Sequence, residues 1–264
     1  MRNIFGQVFM CGVVAALIYG CDSAPEQATD KTAEPAGLES VVREGFFSDL
    51  PRFVDVTGIR QIGVEAGRTQ AALERLNMRH DMIIGHHQNR IKGAKILDFG
   101  SYDGRWTYAA IKAGADHVTG IEINDEFVAQ ATQNLEELGV SSDKYDFIVS
   151  DLLAALKDIE PGEYDGAICA GIYYHITYHV ELMDELKRLD LDWVIMDTSV
   201  VVSDKPIVQW SLSPYGLEGT PSVSAVELIA TEAGLEYEHV PLEENASLGM
   251  WDYNAGNRVT MTLF

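Results

Sequence analysis

Between residues 94 and 199, short apolar runs alternate with stretches of helical periodicity, and no other feature of the chain restricts its fold as much. "AKILDF", "HVTGIEI", "YDFIVS", "YDGAICA" and "DWVIMDTSV" are apolar, strand-length and bounded by turn residues. Between them lie "RWTYAAIKAGA", stopped by Gly114, then "DEFVAQATQNLEELG" with Asp125 placed to cap it, then "LLAALKDI" and "HVELMDELKRL". Strands separated by helices imply a parallel sheet covered on both faces, because a parallel neighbour requires a crossover. A further helix, "SAVELIATEAG", ends at Gly234. "LEYEHVPL" and "NRVTMTLF" follow with no helical segment between them and should pair antiparallel. The expected fold is α/β: a doubly wound, seven-stranded, mostly parallel sheet with a reversed C-terminal strand. Residues 65 to 92 read as helix, with Gly85 as a point of interruption, and 201–220 as a polar connection.

The chain has 264 residues, 47% of them hydrophobic, which allows one large domain with a buried core. Its 41 acidic residues against 19 Lys and Arg give a formal charge of −22, with no basic run, so a polyanionic partner such as nucleic acid is not expected. The first 21 residues differ from the rest. "MRNIFGQVFMCGVVAALIYGC" has one early Arg, an apolar stretch short for a membrane span, and a small residue before Cys21. Ile18-Tyr19-Gly20-Cys21 resembles a bacterial lipobox, which implies a lipidated Cys21 and a membrane tether. A plain amphiphilic leader on a cytoplasmic protein, or a mis-assigned start, is the alternative. Residues 22 to 40 lack aromatics and read as a flexible linker. The expected organisation is leader 1–21, linker 22–40, helical cap 41–93 and main domain 94–264.

Cys11 and Cys21 fall in the leader and Cys169 stands alone, so neither a disulfide framework nor a cysteine metal site is expected. His86 and His87 are adjacent, with no acid at ligand spacing, so no metal is expected there either.

The chemistry concentrates in "KILDFGSYDGRWTYAAIKAGADHVTGIEIND". In a doubly wound sheet, ligands bind beyond the carboxyl ends of the strands, beside the first one. The turn Asp98-Phe-Gly100-Ser-Tyr-Asp103-Gly104 lies there. Gly100 would allow a tight turn and a ligand's approach to the backbone, and Gly104 would start the next helix close to the strand. Glu122 ends the second strand, where a carboxylate can accept from both hydroxyls of a ribose. Asp151, before Leu152, ends the third strand and suits an adenine amino group, a helix cap, or both. A dinucleotide would want G-x-G-x-x-G and amides free for a pyrophosphate. Here Asp98 and Asp103 crowd that place, and two carboxylates attract a cation such as S-adenosylmethionine instead.

From about 94 to 264 the chain resembles the class I S-adenosylmethionine-dependent methyltransferases. "ILDFGSYDGRW" matches their D-x-G-x-G-x-G motif except that Tyr102 occupies the central glycine, and "GIEIND" matches their acidic ribose motif. "ICAGIYYHI" resembles a "GVLYH" segment of relatives of the tRNA wobble-uridine carboxymethyl-transfer enzyme. "TPSVSAVELIATEAGLE" resembles a stretch of many small-molecule methyltransferases. The resemblance implies S-adenosylmethionine as cofactor, a small-molecule acceptor, and cofactor contacts at Asp98, Gly100, Ser101, Asp103, Gly104, Glu122, Ile123, Asp151, Leu152 and Ala170. It places Tyr173, Tyr174 and His175 over the transferred methyl, making Tyr174 and His175 the catalytic candidates. His175 either takes the acceptor's proton or orients its loop. Trp210 and Tyr215 are candidates for a lid. Two other classes stay open: an NAD-dependent oxidoreductase, and a membrane-tethered, non-catalytic binding protein on the same fold.

Overall fold

The structure, a computed structural model, describes residues 45–54, 65–214, 216–242 and 251–264. The leader, Cys21, the linker 22–40 and Tyr215 lie outside these. The strands are β1 (Lys95–Phe99), β2 (His117–Glu122), β3 (Tyr145–Val149), β4 (Gly166–Ala170), β5 (Trp193–Ser199), β6 (Val208–Ser213), β7 (Gly216–Pro221), β8 (Tyr237–His239) and β9 (Arg258–Leu263). The helices are α1 (Glu65–His80), α2 (Gln88–Ile91), α3 (Arg105–Lys112), α4 (Asp125–Glu137), α5 (Leu152–Lys157), α6 (His179–Arg188), α7 (Val223–Glu232) and α8 (Trp251–Asn254).

One sheet holds seven strands in the order β3-β2-β1-β4-β5-β9-β8. β1 to β5 are mutually parallel, and β9 runs against both β5 and β8. The expected seven-stranded sheet with one reversed strand is therefore what forms. The central strands β1 and β4 are apolar because helices cover both of their faces, whereas edge strand β3 exposes Ile148 and Val149. One face packs Leu97, Cys169, Leu182 and Val226 together, and the other packs Ile96, Ile168, Trp106 and Leu135.

Several elements differ from expectation. The segment 65–92 is two helices, because Asp81–Gly85 widens into a π turn before α2. The cap of α4 is Asn124, whose side chain accepts from the Glu126 amide at 2.9 Å, and Asp125 is already inside the helix. A four-residue helix, α8, intervenes between β8 and β9. The polar stretch 201–220 contains a β-hairpin, β6–β7, with Val208 opposite Pro221 and Ser213 opposite Gly216. Its alternation was hidden because most of β6 faces outward, leaving no apolar run to read. Among the described residues no helix is long and apolar enough to cross a membrane.

Candidate functional site

The chain starts at the middle of the sheet, winds outward to β3 and returns to β4 beside β1. The carboxyl ends of β1 and β4 therefore form the switch point. The turn after β1 is pinned to β2: the Gly100 and Ser101 amides donate to the Ile121 carbonyl at 2.8 and 3.2 Å. Three residues of this turn take the left-handed backbone region, Gly100, Tyr102 and Gly104, with φ of 65°, 50° and 80°. Tyr102 adopts what a glycine would adopt without strain. Its ring packs on Phe127 at 4.6 Å, with the Arg105 guanidinium 5.3 Å above it.

Asp98 is wholly buried and accepts from the Thr107 hydroxyl at 2.7 Å, while its other oxygen, Oδ1, has no hydrogen-bond partner among the described residues. Burial pushes its carboxyl up to about 7 against the hydrogen bonds from Thr107, and the negative charges of Asp103 and Glu122 add to the shift. Ser101 Oγ is a second buried, unpartnered polar atom of the same turn. Glu122 is buried at the end of β2, its two oxygens accepting from the Tyr102 amide at 3.1 Å and the Asn124 amide at 3.0 Å. Each oxygen keeps a lone pair for a further donor.

Three expectations for this turn need correction. Asp103 is paired with Arg105 through contacts of 2.6 and 2.8 Å, and so does not act with Asp98 as a second free carboxylate. The space beside Gly100 is filled by Ile172, 3.1 Å from where a Cβ would stand, so the post-β4 loop makes the approach to that backbone. Gly104 admits α4 rather than the strand: a Cβ there would meet Leu135 at 2.9 Å and Ala131 at 3.1 Å.

Asp151 caps α5, accepting from the Ala154 amide at 3.1 Å, and its other oxygen lies 3.4 Å from the Tyr178 hydroxyl. It is exposed, as is Ile123 just after β2, and the next residue, Leu152, is buried. Ala170 ends β4 and is buried, and the next residue, Gly171, donates its amide to the Asp197 carbonyl at 2.8 Å. Tyr173 to His175 form a single 3-10 turn. Tyr174 lies between the His175 ring, 4.0 Å away, and the Arg258 guanidinium at 5.5 Å. His175 Nδ1 is 2.6 Å from Glu218 Oε1, on β7 of the hairpin. Trp210 stands half exposed on β6, with its ring near His179.

Sequence reasoning missed Glu218, and it missed the ionic cluster around Asp197 of β5. Asp197 of β5 accepts from Arg79 at 2.6 Å, Arg258 at 2.9 Å, Thr260 at 2.8 Å and the Tyr253 hydroxyl. Asp252 joins Arg75 to Arg258 at 2.7 and 2.8 Å. For Glu218 a signal existed: "VQWSLSPYGLEGTP" brackets a Pro/Gly turn between two strand-length runs. Nothing local announces the ion pairs. His87 is buried, bonded to the Ile83 carbonyl at 3.0 Å and Thr262 at 2.7 Å, and no cluster able to hold a metal exists among the described residues.

Residues 96–189 match the family model described as a methyltransferase domain. Among curated proteins, the chain is 32% identical to the ribosomal RNA large subunit methyltransferase K/L of Shewanella frigidimarina, over 29% of this chain and 11% of that protein. It is 36% identical to the ribosomal protein L11 methyltransferase of Lactobacillus gasseri, over 24% of each. The chain thus spans a quarter or less of the length of these relatives. Among solved structures, the [4+2]-cyclase SpnF superposes with a TM-score of 0.55 at 18% identity, over 74% of this chain and 81% of that one. The N-terminal domain of EvdMO1 with SAH bound does so with 0.52 at 18%, over 70% and 79%. These likenesses establish the fold, and a fold hosts many activities.

Proposed function

We propose that the chain, whose residues 96–189 match a methyltransferase-domain model, transfers a methyl group from S-adenosylmethionine to a small-molecule acceptor. The observation that carries this reading is Asp98: a wholly buried carboxylate with one oxygen unpartnered, at the end of the first strand. Such an atom is expensive to leave without a donor and suits an ammonium group. Glu122, with lone pairs to spare, suits the ribose hydroxyls. Asp151 suits the adenine amino group, with Ile123 and Leu152 as apolar candidates for the ring faces. The diphosphate of NAD is a poor fit, since the one cation of the turn, Arg105, is already paired with Asp103.

When bound, S-adenosylmethionine supplies a methyl group on a sulfonium, whose carbon–sulfur electron pair stays on sulfur as the methyl leaves. The protein's part is to align the acceptor, exclude water and accept a proton. His175 is our candidate for the last of these, with Tyr174 beside it. The acidic excess of the chain favours a small acceptor over RNA. The hairpin brings Glu218 onto the post-β4 turn that carries His175.

Calorimetric titration of the full-length protein with S-adenosylhomocysteine and with NAD tests the cofactor. Binding of NAD alone would overturn the reading. A labelled-methyl screen across metabolite pools, RNA and ribosomal protein then tests the acceptor, and labelling of RNA or protein alone would replace the small molecule. With the acceptor in hand, His175→Ala should lower turnover by roughly 10²–10⁴-fold and leave cofactor affinity nearly intact.

The leader extends the proposal: lipid on Cys21 would tether the domain to a membrane. In a bacterium with lipoprotein machinery, the protein should partition with membranes and Cys21→Ser should release it. An intact mass showing an unmodified, uncleaved N-terminus refutes the tether.

A further inference from the structure

The reading of His175 as a base leaves open what determines which ring nitrogen holds the lone pair. The turn that carries it packs against β5 and β7. The titratable and charged groups around it are Tyr174 on its own turn, Glu218 on β7, Asp197 on β5, and Arg258 of β9 behind Tyr174. Asp197 and Arg258 belong to the ionic cluster with Arg79 and Asp252, and among the described residues Glu218 is a charge in direct contact with the ring. That contact is 2.6 Å from Nδ1, with 13% of the Glu218 side chain and 32% of the His175 side chain accessible, so water screens it less than a surface pair.

We infer that Glu218 is a positioning residue for this site: by accepting the Nδ1–H of His175 it holds the neutral ring in the tautomer whose lone pair is on Nε2, the atom that takes the acceptor's proton. The inference rests on the methyl-transfer reading above. It follows from the donor and acceptor inventory of the pair. Burial works against ionisation of Glu218, but hydrogen bonds from Ser213 and His175 hold its carboxyl below the usual range. An ionised carboxylate only accepts, so the proton of the contact belongs to Nδ1. As the acceptor atom closes its electron pair on the methyl carbon, its proton passes to Nε2. The resulting imidazolium lies against the Glu218 charge, and the proton then leaves to solvent.

The hairpin is built to deliver this carboxylate. β7 approaches the first residue of α6 so closely that a Cβ on Gly219 would meet His179 Cε1 at 2.7 Å and Trp210 at 2.8 Å. His179 in turn is tied to the Tyr173 carbonyl at 3.0 Å, so hairpin, helix start and 3-10 turn form one unit.

The test needs no acceptor. In full-length protein labelled with 15N-histidine, the ring signals of His175, assigned by their loss in His175→Gln, should show hydrogen on Nδ1 and a lone pair on Nε2 at pH 9. Glu218→Gln, whose amide oxygen still accepts, should keep this signature, whereas Glu218→Leu should move it to the Nε2–H form. An Nε2–H ring in the wild type overturns the inference even if no variant folds, and so does an unchanged signature in folded Glu218→Leu. A residue that only clips the hairpin down would lower the melting temperature without moving these signals. Titration with S-adenosylhomocysteine separates the two readings. A wild type that fails to bind it overturns methyl transfer and this role with it. Binding with an unchanged ring in Glu218→Leu overturns the positioning role alone.

Discussion

Asp98 on β1 and Asp197 on β5 are both wholly buried, two strands apart in one sheet, and they have opposite surroundings. Asp98 takes hydrogen bonds from Thr107 and has one oxygen unpartnered. Asp197 is saturated by Arg79, Arg258, Tyr253 and Thr260. Burial raises the first to about 7. For the second, burial is outweighed by the Arg79 and Arg258 charges, which hold it well below the usual carboxylate range. The same residue type is thus a brace where the chain supplies its counter-ions and, in the function proposed above, a cofactor contact where it does not. The brace joins α1 to β5 and β9. Asp98, with its one unpartnered oxygen, stands before the turn proposed to receive the ligand.

The strongest way to break this contrast is to remove the brace. Asp197→Ala leaves Arg79 buried without a counter-ion and Arg258 with Asp252 alone, and should lower stability by roughly 3–5 kcal/mol in urea unfolding. A loss under 1 kcal/mol would mean that the cluster is not a brace.

Asp98→Asn should do the reverse. The folded pKa of Asp98, about 7, lies above its ordinary 3.8, so the native chain holds an extra proton between those values and loses stability as pH rises through that window. The stability of wild type relative to Asp98→Asn should therefore fall by roughly 2–3 kcal/mol from pH 5 to pH 8. Binding of a cationic cofactor favours the ionised form, so affinity for S-adenosylmethionine should rise with pH through about 7 in the wild type and lose that rise in the variant. A parallel pH dependence in both proteins would dissociate Asp98 from the cation.

Glu122→Gln sharpens the ligand side. It keeps an oxygen for one backbone amide and removes the charge, so the domain should fold while cofactor binding weakens by roughly 1.5–3 kcal/mol. Equal affinity in the folded variant would move the ribose elsewhere. The mildest effect concerns His87, buried between Ile83 and Thr262. Burial, with the neighbouring His86 charge, lowers it to about 4, opposed by its backbone hydrogen bond to Ile83. A base with a depressed folded pKa loses stability as pH falls from about 6.5 to about 4, here by roughly 1–3 kcal/mol, and His87→Gln should flatten that slope.

The placement of the candidate site residues was legible because it is local. Asp98, Gly100 and Gly104 share one turn, Glu122 and Asp151 each end an apolar run, and strand ends are where a doubly wound sheet binds ligands. Even there, detail escaped. Arg105 neutralises Asp103, and Asn124 rather than Asp125 caps α4, because neighbours two residues apart choose between equally good short-range partners.

The sequence by itself determined the strand–helix alternation, and with it the parallel sheet, its switch point and the acidic residues lining it, since periodicity and turn chemistry act over a few residues. Tertiary structure alone decided which charges are paired. Arg79 reaches Asp197 across 118 positions, and Glu218 reaches His175 across 43 from a hairpin with no apolar run to announce it. The physical reason is range. A strand or a cap is selected by its immediate neighbours, whereas a buried charge finds its partner only once the sheet has brought distant segments within hydrogen-bond distance.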